Sequence, residues 1–203
     1  RIVCDSESSA VYVAAQEYQR YDYYGGRGMA VDAVGESSTE AEGPKTVVQS
    51  YAITAEGSVE ARTRLDLGGY VSDIQATPRV LMVAHNEWNN DEQFSRVSVV
   101  DISSASGAMV EGDDVAVKGR VSSKHNMNYY NGVLRVVSGG TNWEARTNHV
   151  QTFDATDLAD ISPIDHKTFG DGENLFATLF LGNKAFFVTY LRVDPFHAFE
   201  ISD

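Results

Sequence analysis

Two strand-like segments recur together about every 50 residues, and this recurrence limits the fold more than any other feature of the chain. "SRVSVVDIS" ends near Asp101, "NHVQTFDATD" carries Asp154 in the same place, "PFHAFEISD" carries Glu200 and "VVQSYAITA" carries Ala52, at intervals of 49, 53 and 46 residues. In a second register "VLMVA", "VLRVV" and "AFFVT" align Val83, Val136 and Val188, at intervals of 53 and 52 residues. A repeated unit of that size cannot bury its own faces and must stack on its neighbours.

Apolar residues alternate at period two along 10–15, 46–53, 59–67, 70–76, 80–85, 96–102, 115–119, 133–138, 149–155, 175–181, 185–190 and 197–202, and helical spacing is almost absent. These runs are short, rich in β-branched and aromatic residues, and divided by Gly, Asn, Asp and Ser turns, so the chain is all-β. Four strands per 50 residues match the blade of a β-propeller, a ring of four-stranded antiparallel sheets, whereas a sandwich has no such internal period. One blade reads as 70–76, 80–85, 96–102 and 115–119, the next as 121–127, 133–138, 149–155 and 164–169. The last reads as 175–181, 185–190 and 197–202. At the start, 10–15 and 46–53 read as second and third strands whose innermost strand is missing or lies in the first residues. The expectation is one propeller domain over 1–203, or a fragment of one, with about four blades, two of them incomplete. Open ends leave unpaired edges, which further sequence or a second copy would close.

With 16 basic and 29 acidic residues the net charge is −13, which repels phosphate backbones and anionic lipid heads. Nucleic acid is therefore not an expected partner, and no run of 18 apolar residues exists to insert in a membrane as a helix. The single cysteine, Cys4, has no internal disulfide partner. The chain begins with Arg1 and no leader-like segment, which reads as processed or excised material.

Three stretches, "SSKHNMNYYNGVLRVVS" (122–138), "NHVQTFDATDLADI" (148–161) and "GENLFATLFLGNKAFFVTYLRVDPFHAFEISD" (172–203), resemble secreted bacterial and archaeal proteins that carry a C-terminal β-propeller domain. That family shows a Met-x-Glu-Tyr-x-Gly-x-Leu-Arg-Val pattern, met here by Met127, Tyr129 or Tyr130, Gly132, Leu134, Arg135 and Val136. Gly172, Glu173, Phe180, Phe187, Val188, Thr189, Val193, Asp194 and Pro195 fit its later patterns. Asn128 or Tyr129 stands where an acid is usual, and Leu179 where Arg is common. The resemblance implies a propeller fold, a secreted, periplasmic or envelope location and a domain longer than this chain, and it carries no chemistry.

The segments between second and third strands, 16–45, 86–95, 139–148 and 191–196, emerge on one face of a propeller. They hold Tyr18, Tyr21, Tyr23, Tyr24 and both tryptophans, Trp88 and Trp143, with "NEWNND" around Asn89. Aromatics beside amides and acids on a rigid scaffold suit a sugar or peptide, so Tyr23, Tyr24, His85, Trp88, Asn89 and Trp143 are the candidate ligand contacts. The alternative is that both tryptophans cover seams between blades. Residues 19–45 read as a long surface loop, a tolerated insertion or, as the alternative, a functional lid.

Histidines 85, 125, 149, 166 and 197 show no zinc spacing, and His85, His149 and His197 fall at strand ends in different blades, each read as a structural histidine. The acid clusters 89–93, 111–114 and 170–174 lack EF-hand spacing and read as solvated turns. No catalytic motif, metal site or cofactor loop is legible, so no cofactor is expected. The leading expectation is a non-catalytic secreted module that binds a protein or glycan through its loop-rich face. The alternative is an extracellular hydrolase or lyase whose site is assembled from several blades, and a piece that only holds neighbouring domains comes third.

Overall fold

A computed structural model of the chain describes residues 2–4, 9–17, 45–54, 56–89, 92–140, 147–191 and 196–201. Among these, four antiparallel sheets follow one another along the chain. The first contains β1 (Ile2–Cys4), β2 (Ser9–Glu17), β3 (Lys45–Ile53) and β4 (Val59–Gly68). The second contains β5 (Tyr70–Ala76), β6 (Val80–Asn89), β7 (Glu92–Asp101) and β8 (Val110–Lys118). After a 3₁₀ turn at Lys124–Asn126, the third contains β9 (Met127–Tyr130), β10 (Val133–Ser138), β11 (Asn148–Asp154) and β12 (Ser162–Phe169). The fourth contains β13 (Asn174–Leu181), β14 (Lys184–Tyr190) and β15 (Phe196–Glu200). Each strand pairs with its neighbour in sequence, which is the meander of a propeller blade.

Several expectations change in detail. The first sheet has its innermost strand, in the first residues, so only the fourth sheet has fewer than four strands among the described residues. The innermost strand of the third sheet is Met127–Tyr130 rather than 121–127, because Ser123 caps the 3₁₀ turn by accepting from the His125 N–H. Residues 111–114 lie in β8, where the Asp113 carboxylate accepts the Ile161 N–H of the third sheet at 3.1 Å. The polar outer strand was hard to read because its pairing with β7 needs no apolar alternation on a solvated face.

The recurrent acid has a physical task. Asp101 lies opposite Val80 and Asp154 opposite Val133, each at the end of a third strand. The Asp101 carboxylate accepts the Ser103 N–H at 2.8 Å, and that of Asp154 accepts the Thr156 N–H at 3.0 Å, so both close the same Asx turn. These hydrogen bonds, backbone first, hold the Asp154 carboxyl below its usual pKa. Glu200, opposite Lys184, instead accepts from the Asn183 side chain at 3.3 Å. Counted from these acids, Val83 and Val136 correspond to Phe187, not to Val188. A slip of one residue reverses the face, and Phe187 is fully buried where Val188 is not.

Three seams between consecutive sheets form the core. Tyr12, Val48 and Leu67 meet Leu81, Val83 and Ile102 between the first and second sheets. Val80, Met82, Val97 and Val117 meet Met127, Leu134, Val136 and Phe153 between the second and third. Val137, Val150 and Phe169 meet Ala185 and Phe187 between the third and fourth. The far side of the fourth sheet is apolar and open: Phe176 is 78% exposed and Tyr190 71%, with Leu179, Leu181 and Phe196 also exposed.

Candidate functional site

At one end of the second sheet, β6 and β7 run on past the core. His85 lies opposite Arg96, and four further pairs follow, ending with Trp88 opposite Gln93 and Asn89 opposite Glu92. Trp88 and Asn89 therefore belong to a strand rather than a loop, and only residues 90–91 separate β6 from β7. Apolar alternation stops at His85, but a hairpin closed by so short a link keeps its backbone ladder without it. Tyr23, Tyr24 and Trp143 lie outside the described residues, as does the loop expected over 19–45 except for Lys45, which begins β3.

The base of this hairpin is locked by Arg96. Its Nε donates to Glu87 on β6 at 2.6 Å, its Nη1 to Asp114 on β8, and its Nη2 to the Gly68 carbonyl at 3.0 Å. Burial works against its charge, but Glu87 and Asp114 outweigh burial and the guanidinium pKa is raised. Ser95 adds a tie to the segment that leads into the third sheet by accepting the Val121 N–H at 2.9 Å.

His85 lies inside this construction, fully buried, with Nε2 3.1 Å from Ser98 Oγ. Nδ1 has no hydrogen-bond partner among the described residues. Burial, then the Arg96 charge, push its pKa down to about 4 against the opposing pull of Asp114 and Glu87, so the ring is neutral near pH 7.

The same motif recurs at each passage between sheets. Gly69, Gly119 and Gly170 follow one another at 50 and 51 residues and have φ of +85°, +75° and +56°, a left-handed conformation suited to glycine. A Cβ on Gly69 would lie 3.5 Å from His85 Nδ1, one on Gly119 3.2 Å from His149 Cδ2, and one on Gly170 3.4 Å from His197 Nε2. The three histidines thus sit one per sheet, each against the glycine that leads into its own sheet. His149 also meets His166 on β12, and burial, His166 and Lys118 lower its pKa.

A cavity of about 580 Å³ opens between the first two sheets and the 3₁₀ turn, lined by Tyr12, Ala14, Asp73, Gln75, Leu81 and Lys124 among others. It borders β2 and β5, the second strand of the first sheet and the innermost strand of the second. The Tyr12 hydroxyl donates to the Ile102 carbonyl at 3.4 Å, and burial followed by the Asp101 charge raises its pKa. Sequence reasoning passed over these residues; the only signal was Asp73 and Gln75 alternating in an innermost strand.

A family model described as "Beta propeller domain" matches residues 11–203. The uncharacterized protein MJ1554 of Methanocaldococcus jannaschii is 28% identical over 116 residues, which is 55% of this chain. That match spans 18% of the archaeal protein, so the chain is similar to a small part of it.

Proposed function

The chain belongs to the β-propeller domain family, and on that footing we propose that it is a non-catalytic module that binds a protein or a glycan. The observation that carries this reading is the β6–β7 hairpin, which extends four residue pairs past the buried His85 and is held at its base by Arg96. Its backbone continues as a regular strand through Asn86, Glu87, Trp88 and Asn89. An indole, two amides and a carboxylate in four consecutive residues are the residue types that supply stacking and directed hydrogen bonds, the two interactions a sugar ring or peptide needs. A base locked before binding also loses little freedom on association.

The net charge of −13 favours neutral or cationic ligands over nucleic acid. The same reading places the domain outside the cytoplasm, in the secreted or envelope fraction, as its family resemblance implies. The open apolar side of the fourth sheet supports a ring closed by another blade, from further sequence or a second copy.

Glycan and peptide arrays probed with the full chain and with Trp88→Ala test the proposal. A ligand class retained by the wild type and lost by a variant with unchanged melting supports it. Equal binding by both, or no retained ligand, overturns it.

The cavity favours a second reading, an extracellular hydrolase or lyase, because Tyr12, Asp73 and Lys124 come to it from three consecutive blade units. Turnover of a polysaccharide or peptide panel that disappears in Asp73→Asn would establish this second activity.

A further inference from the structure

The third sheet brings two imidazoles together on adjacent strands. His149 on β11 is paired with Thr168, and His166 on β12 with Gln151, so the two histidines are diagonal neighbours on one face. Nδ1 of His149 lies 3.0 Å from Nε2 of His166, with ring centroids 5.2 Å apart and planes tilted by 40°. The His149 ring lies so close to Gly119 that a Cβ there would come within 3.2 Å of its Cδ2, while His166 is exposed and free to turn. One ring is thus held and the other adjusts.

In the contact as it stands, one ring donates an N–H and the other accepts. Turning the exposed ring lets both nitrogens direct lone pairs at a single cation instead. Nitrogens bound to one metal at ordinary imidazole distances are about 2.9 Å apart for a right angle at the metal and about 3.3 Å apart for a tetrahedral one. The observed 3.0 Å lies between these limits.

We propose that His149 and His166 form a two-imidazole site for a divalent transition-metal ion of the nickel, copper or zinc type. Neutral imidazole is a preferred ligand of these ions, and calcium or magnesium is not expected to compete for it. Lys118 and Asp171 are the charged neighbours of His149 and act on it in opposite senses. Among the described residues no group of three His, Cys, Asp or Glu side chains converges, and the proposal rests on the two imidazoles alone.

The test is calorimetric titration of the full chain with nickel ion at neutral pH, compared with His166→Ala, His149→Ala and His125→Ala. His125 is exposed and outside the pair. The wild type and His125→Ala are expected to bind one equivalent. Loss of either member of the pair removes the gain of two joined ligands, a weakening of about 100-fold or more. Because His166→Ala alters an exposed side chain, its circular dichroism is expected to match that of the wild type. The electron paramagnetic resonance spectrum of the copper-loaded chain should show two imidazole nitrogens, and one in His166→Ala. Nickel binding that survives in His166→Ala, a copper spectrum without two imidazoles, or no nickel binding by the wild type overturns the proposal.

Discussion

Nη1 of Arg135 donates to the carbonyl of Gly182 across the third seam at 2.7 Å, joining the second strand of one sheet to the first turn of the next. The side chain is almost fully buried, donates from Nε to Asn128 Oδ1 at 3.0 Å, and lies 5.0 Å from the Tyr130 ring centroid and 5.3 Å from that of Phe180. A planar fork between two aromatic rings, with directed donors on either side, is a task lysine cannot copy. The Leu-Arg-Val pattern noted in the sequence is therefore a seam clamp.

Arg135→Lys should cost about 2 kcal/mol in chemical denaturation, the scale of a charge-assisted hydrogen bond lost from a buried site. A midpoint unchanged from wild type would show that the seam stands without the fork.

Gly119→Ala should be far more damaging than Gly172→Ala. A Cβ there would lie 2.6 Å from the Gly139 carbonyl oxygen, and the backbone is already left-handed. Strain and displacement together put the loss at about 3 kcal/mol. Gly172 has φ of +79° but open space around it, so Gly172→Ala should lose only about 1 kcal/mol. Equal melting temperatures for the two variants would contradict this ordering.

His85 gives the fold an acid limit. Its folded pKa is about 4 against an ordinary 6.5, so between these values the unfolded chain takes up a proton that the folded chain refuses. Stability is complete above about pH 6.5 and falls as pH drops towards 4, by at most about 3 kcal/mol from this group. His85→Gln removes the titration and should flatten the fall between pH 6.5 and 4, which melting curves across that range would record.

The open side of the fourth sheet should make the isolated 203-residue chain associate. Light scattering is expected to give a mass above 22.2 kDa, returning to that value in a double variant, Leu179→Lys with Phe196→Glu. An unchanged mass in the double variant would move the contact elsewhere.

Strands with apolar alternation and turn residues on both sides were legible to the residue, as β5 and β10 show. Where the alternation is absent the reading stopped early: β8 begins in the polar run before Val115, and β6 and β7 continue past His85 on pairing that side-chain pattern does not reveal. In β14 both faces are apolar, so the sequence alignment had no means of choosing between Phe187 and Val188. The candidate site was less legible. That His85 is interior depends on Gly69, between β4 and β5, and on Ser98 of β7, and the cavity beside Tyr12 depends on residues of three successive units, Tyr12, Asp73 and Lys124.

Every ladder in the described structure joins strands that are consecutive in the chain. Each sheet can therefore complete its hydrogen bonds as soon as its own stretch has left the ribosome or a translocation pore, without waiting for distant sequence. Growth of the domain is then vectorial, and each finished sheet templates the next through its exposed side.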